Sequence, residues 1–168
     1  MDKALMVLDM QDMYVGEGRD KALYPYETKE LIKNVNKRIE AYEPEAVIYV
    51  KSIKKGLFGG AMPKAGTTDA DFVRNLKVVS KNIYEKNKPD AFSNEILFEF
   101  VRARGVKELE LVGVDGGTSV GMTAVSAVED GDLRVIFCEP AIGTLQRDKA
   151  MKCREKIKKT RMTSSFEV

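Results

Sequence analysis

The sequence predicts an α/β fold, a three-layer domain with a mainly parallel sheet covered by helices on both faces. Two observations carry that reading. Short apolar runs of strand length alternate with segments of helical periodicity, the pattern of repeated βαβ units, whose crossovers lay helices against a parallel sheet. The chain also has 168 residues, 43% hydrophobic and 32% charged, which suits one soluble domain with a proper core. Residues 1–168 are therefore read as a single domain, without internal repeats or low-complexity segments.

Each element follows from its residues. "ALMVLD" (4–9) reads as a buried strand. "ETKELIKNVNKRIEAY" places Leu31, Ile32, Val35 and Ile39 on one face of a helix. "EAVIYVKS" (45–52) is a second strand and "NIYEK" (82–86) a short third one. "SNEILFEFVRARG" reads as a helix capped by Ser93 and stopped at Gly105, with Ile96, Leu97, Phe100 and Val101 on its apolar face. "KELELVG" (107–113) and "LRVIFCE" (133–139) are two more strands, with a helix over 119–130 between them. Thr144 is expected to cap a last helix ending near Lys159, and "MTSSFEV" to form a final edge strand. The glycine-rich stretch 53–72 is long for a loop and carries Leu57, Phe58 and Met62. It reads either as a lid over a site or as a surface excursion.

Composition narrows the chemistry. Lys and Arg number 28 against 26 Asp and Glu, a net charge of +2, and no basic block is interleaved with aromatics, so nucleic acid is not the expected partner. The basic residues of 149–159 read as a solvated helix face. No apolar run approaches a membrane span, and "MDKALMVLDMQ" does not read as a signal peptide, so a cytoplasmic location is the default expectation. Cys138 and Cys153 give no disulfide framework; Cys138 lies in an apolar run and reads as a buried thiol. There is no histidine, which excludes Ser-His-Asp catalysis, imidazole acid–base work and histidine metal sites. Neither a metal nor a cofactor is expected.

In open parallel sheets ligands sit beyond the carboxyl ends of the strands. Asp9 ends the first strand there, Lys86 the third, and the fourth runs into "GVDGGTS" and Ser119 at a helix start. An acid, a lysine and a hydroxyl thus converge on one sheet edge. Each has a plain alternative: Asp9 as a turn cap, Lys86 as a solvated cation, Ser119 as a helix cap. A nucleotide-binding module is the reading from another class, with the glycine turn offering N–H groups to a phosphate and Glu139 placed like a ribose-binding acid. The turn lacks both G-x-G-x-x-G and a P-loop lysine.

The same residues carry a resemblance. "ALMVLDMQDMY" resembles the opening of the isochorismatase-like hydrolases, which include nicotinamidases, pyrazinamidases, N-carbamoylsarcosine amidases and isochorismatases. "KNKPDAFSNEIL" resembles the family's lysine segment, with Lys86 at the lysine, Asp90 in place of a serine and Glu95 in place of a threonine. "GVDGGTSVGMTAVSA" resembles the nucleophile segment, matching at Gly113, Val120, Thr123, Ala124 and Ala127. "GTTDADF" resembles the segment before the third strand. The resemblance implies a five- or six-stranded sheet of order 3-2-1-4-5-6, catalytic roles for Asp9, Lys86 and residue 119, and a cis bond at Val114–Asp115 that aims the N–H groups of Asp115 and Ser119 at an oxyanion. It also implies substrate contacts from Tyr14, Gln11 and Met62, a small-molecule substrate, and a homo-oligomer, dimer or tetramer. The histidine metal site of many nicotinamidases has no counterpart in 51–66.

The departure is at position 119, where the family's amidases carry cysteine. A thiol with a pKa of about 8.5 can be ionised beside a cation at a helix N-terminus; a serine hydroxyl needs a base. Lys86 is expected to stay protonated beside Asp9, which leaves Asp9. Three readings stand: an amidase slowed or silenced by serine, whether natural or engineered; a vinyl-ether hydrolase of the isochorismatase type using Asp9 as general acid; or a pseudoenzyme that only binds a small molecule.

Overall fold

The computed structural model describes residues 1–56 and 60–159. Five strands form one sheet: β1 (Lys3–Leu8), β2 (Val47–Ser52), β3 (Ile83–Lys86), β4 (Glu108–Val114) and β5 (Arg134–Gly143). All neighbours pair in parallel, in the order β3-β2-β1-β4-β5. The expected sixth strand falls on residues outside the described ones. Five helices connect or follow the strands: α1 (Asp12–Val15), α2 (Thr28–Ile39), α3 (Glu95–Ala103), α4 (Ser119–Glu129) and α5 (Arg147–Lys159).

Alternation along β1 divides the core. Ala4, Met6 and Leu8 face one side, where Leu97 and Val101 of α3 and Val120, Ala124 and Ala127 of α4 complete a cluster. Leu5 and Val7 face the other, against Leu31, Val35 and Ile39 of α2. Ile32 packs at the margin of that second cluster. One buried acid breaks the apolar pattern of β4. Glu110 is buried and takes Arg38 Nε and Nη2 at 2.6 and 2.8 Å and the Tyr42 hydroxyl at 2.6 Å, which fixes the end of α2 to the sheet.

Several local expectations change. Asn94, not Ser93, caps α3: its side chain accepts from the N–H groups of Ile96 and Leu97 at 3.0 and 3.2 Å. Ser93 instead donates to the Asp90 carbonyl within a 3₁₀ turn, Ala91–Ser93. Asn94 is an equally good cap, and the preceding turn moves the helix start by one residue. Ile96 is 74% exposed: it stands one residue, about 100° of helix, off Leu97, which with Val101 marks the buried stripe. The stop at Gly105 holds, with φ +64° just beyond the helix. Thr144 does not cap the last helix, which begins three residues later at Arg147. β5 runs on to Gly143, past Pro140, with a register shift opposite Leu111–Gly113. Among the described residues no helix is long and apolar enough to cross a membrane.

Candidate active site

The sheet order puts β1 and β4 side by side while their crossovers leave in opposite directions, which opens a crevice at their carboxyl ends. Gly113 makes the approach close. Its φ is +112°, and a Cβ there would lie 2.1 Å from the Leu8 carbonyl oxygen, so β4 lies against β1 as only glycine allows. Asp9 then leaves β1 with φ +54°, its N–H held by the Val50 carbonyl at 2.9 Å. That left-handed conformation suits the short polar side chains of Asp and Asn.

Four side chains meet in the crevice from four different strands or their sequels. Lys86 Nζ, at the end of β3, donates to Asp9 Oδ2 at 2.9 Å, to Ser52 Oγ at 2.8 Å and to Ser119 Oγ at 2.9 Å. Ser52 Oγ donates to Asp9 Oδ1 at 2.9 Å, and Ser119 Oγ donates to Asp9 Oδ2. The count closes without remainder. An ammonium has three protons and uses all three. Each hydroxyl accepts once from Lys86 and donates once to Asp9, and the carboxylate takes three donors. The arrangement is that of a charged lysine facing a charged aspartate. Lys86 is 1% exposed and Asp9 4%, so the pair is held out of water. A neutral lysine, which a Ser–Lys mechanism needs, would leave one of these acceptors unfilled.

Ser119 is the first residue of α4 and not its cap. Thr118 stands at the cap position, without a side-chain cap bond. As first helical residue, Ser119 also has a backbone N–H with no intrahelical use. The Val114–Asp115 peptide bond is cis.

Above the cluster lies a cavity of about 290 Å³. Asp9, Ser52 and Ser119 reach it from below; Tyr14, Tyr24 and Tyr26 line it with Leu23, Met62 and Leu145. The tyrosines are held in place. Tyr14 and Tyr24 pack edge to face at 5.2 Å, and Arg19 donates to the carbonyls of Gly16, Tyr24 and Tyr26. Burial, and secondarily the charge of Asp9, raises the Tyr14 phenol well above its ordinary range. Burial, and then the neighbouring Asp115, does the same for Tyr26. Both are hydrogen-bond donors at any physiological pH. Val114, Asp115, Thr118 and Gln146 complete the wall nearest α4.

Gln11 does not line the cavity, contrary to expectation. Its side chain is fully buried, accepts from Ser52 N–H at 2.7 Å and donates to the carbonyls of Ser52 and Ala70, both at 3.1 Å. Its amide is committed to backbone. The phosphate-loop reading also fails. The N–H of Gly116 goes to the Gly143 carbonyl, that of Gly117 to Asp115 Oδ1, and those of Thr118 and Val120 to the Asp115 carbonyl. A phosphate would find these donors taken. Glu139 pairs with Arg154, away from the cavity. Neither cysteine lines it, and burial raises both thiols above their ordinary value.

The family model for the isochorismatase domain matches residues 3–164. The chain belongs to the isochorismatase family. Solved structures share its fold. An isochorismatase-like hydrolase from Alkaliphilus metalliredigens superposes with a TM-score of 0.79 at 18% identity, over 98% of this chain and 92% of the other. Nicotinamidase from Bacillus subtilis gives 0.77 at 18% identity, over 98% and 100%. N-carbamoylsarcosine amidase from Thermoplasma acidophilum gives 0.77 at 20% identity, over 100% and 99%. No curated protein matches the chain.

The chain is thus an isochorismatase-family hydrolase, and its site contains more than strand-end reasoning names. Ser52 was legible in principle, since it ends β2 just as Lys86 ends β3. Tyr24 and Tyr26 lie in "YPYET", a segment without periodicity. What brings them to the site is Arg19, a loop contact with no sequence pattern.

Proposed function

We propose that this chain hydrolyses the C–N bond of a small amide, with Ser119 Oγ as the attacking atom and Asp9 as the proton carrier. The observation that carries this reading is the bond from Ser119 Oγ to Asp9 Oδ2, with Lys86 touching both. The hydroxyl proton already points at the one base within reach.

As Oγ adds to the carbonyl carbon, its proton passes to Asp9, and Lys86 holds the charge in balance. The oxyanion develops toward the N–H groups of Asp115, just past β4, and Ser119, the first residue of α4. Asp9 then returns the proton to the departing nitrogen as the C–N bond breaks, leaving an ester on Ser119. Water attacks that ester, gives a proton to Asp9, and the proton goes back to Oγ as the acid leaves. One carboxylate therefore serves as base and acid twice in a cycle. Asp9 is a weak base for a hydroxyl, so turnover is slow.

The test is a panel of small amides and vinyl ethers, nicotinamide and isochorismate included, assayed on the chain and on Ser119→Cys and Asp9→Asn. Amide turnover is expected to be low, to rise at least about tenfold with Ser119→Cys, since a thiolate forms beside Lys86 without a strong base, and to vanish with Asp9→Asn in either background. Vinyl-ether cleavage indifferent to residue 119 would replace this reading with the isochorismatase type. Tight ligand binding with no turnover by any variant would leave a pseudoenzyme.

A further inference from the structure

Among the described residues, Asp115 is the one acid lining the cavity that forms no ion pair. Asp9 faces Lys86 in a closed network. The Asp115 carboxylate, 9% exposed, takes only neutral donors: Gly117 N–H on Oδ1 at 2.8 Å, and the Tyr26 hydroxyl at 3.1 Å with Leu145 N–H at 2.5 Å on Oδ2. A carboxylate has about four acceptor positions; three are filled, and the side chain lines the cavity.

Among the described residues no cation lines the cavity, Arg147 and Lys149 just past Gln146 included. Arg19 serves three backbone carbonyls, and Lys86 lies beneath the floor with its three protons in use. Lys54, Lys55 and Lys64 of the 53–72 excursion do not line the cavity. Among the described residues, then, the charged groups lining it are two carboxylates, one compensated from below and one not. Tyr26 touches Asp115 through its hydroxyl, and Tyr14 and Tyr24 line the same cavity.

We infer that the cavity selects a positively charged substrate, a small amide whose acyl part carries an ammonium, quaternary ammonium or guanidinium group seated against Asp115 and the tyrosines. A low-dielectric carboxylate attracts such a group; tyrosine faces add a cation–π contribution when the cation is desolvated. The same charge opposes anionic substrates, which sets a dicarboxylate vinyl ether such as isochorismate against this wall. The inference rests on the amide-hydrolase reading for its reacting bond, but its charge preference is separable from catalysis.

The decisive probes are two isosteres: trimethylammonioacetamide and 3,3-dimethylbutanamide, alike in shape and differing in one charge, with malonamate as the anion. Binding is measured by calorimetry on the unmodified chain, and kcat/KM on the Ser119→Cys variant. The cation is expected to bind at least about tenfold more tightly than the neutral isostere, which matches a cation–π and ion contribution of that order, and malonamate more weakly than either. Asp115→Asn, checked by thermal melting for an intact fold, should shrink the cation's advantage to about twofold. Equal affinity of the two isosteres for the unmodified chain overturns the inference whatever the variant does. If both isosteres are cleaved equally, the hydrolase reading stands and the charge selection falls. If neither is cleaved while the cation still binds more tightly, the selection stands and the hydrolase reading falls.

Discussion

Replacing Lys86 by methionine keeps most of the side-chain volume and removes one charge from a site closed to water. Its ammonium makes three hydrogen bonds of 2.8–2.9 Å, to Asp9, Ser52 and Ser119, at 1% exposure. The loss leaves Asp9, 4% exposed, as a carboxylate compensated by two hydroxyls alone. Breaking a buried pair from one side costs about 3–5 kcal/mol, because the remaining charge stays desolvated. Asp9→Asn leaves the ammonium in the same position, at a similar cost of about 3–5 kcal/mol. Asparagine accepts the left-handed backbone at position 9, so the change is chiefly one of charge. Were the two losses independent, the double variant would cost about 6–10 kcal/mol, comparable to the whole stability of a typical domain. Instead the second substitution removes the group the first left stranded, and a coupling of about 2–3 kcal/mol is expected between contacting residues. The assay is urea denaturation of the three variants, followed by circular dichroism, with unchanged slopes as the condition for comparing them. Costs that add to within about 0.5 kcal/mol would show that Lys86 and Asp9 do not act as a pair, and the site reading built on their closed network would fall with it.

Two further outcomes follow from the geometry. Gly113→Ala should destabilise by about 3 kcal/mol or more, since a methyl group meets the Leu8 carbonyl and φ is unfavourable; a melting temperature within error of the parent would refute the close β1–β4 approach. The phenols of Tyr14, Tyr26 and Tyr42 are raised chiefly by burial. A group whose folded pKa is raised gives stability that is complete below its unfolded value, here about 10, and lost as pH rises through the folded value. Unfolding free energy should therefore fall above pH of about 10, with these three phenols ionising only as the chain unfolds; an ultraviolet titration showing all six tyrosines ionising near 10 in a native protein would contradict this.

The sheet and its reacting edge were legible because they rest on short-range patterns. Asp9, Lys86 and Ser119 each end or follow an apolar run, and strand ends converge in a parallel sheet whatever the loops do. Gln11 was misplaced because nearness to Asp9 in sequence says little once Asp9 adopts a positive φ; the turn sends Gln11 under β2 and away from the cavity. Ile96 was misplaced because an apolar residue flanking the Leu97–Val101 stripe reads as part of it, although one residue is about 100° of helix. Tyr24 and Tyr26 were missed because Arg19 fixes them through backbone carbonyls, which no side-chain periodicity records. The partners of Asp115 depend on Leu145, thirty residues on, brought close only by the long β5.

The commitment of Gln11 to Ser52 and Ala70 has a bearing on how this fold can be remade. Ser52 and Ala70 are the two roots of the excursion that carries Met62, and one side chain clasps both. The clasp is reinforced by Asp12 N–H on the Asp71 carbonyl and Val73 N–H on the Met10 carbonyl. The ends of the excursion are thereby set at a fixed separation before its interior contributes anything. Loop-closure entropy grows only slowly with length, by about 0.6 kcal/mol per doubling. Changes within 60–66, well inside the clasped ends, are accordingly expected to alter the upper wall of the cavity, where Met62 stands, while the sheet, the clasp and the cluster below keep their register.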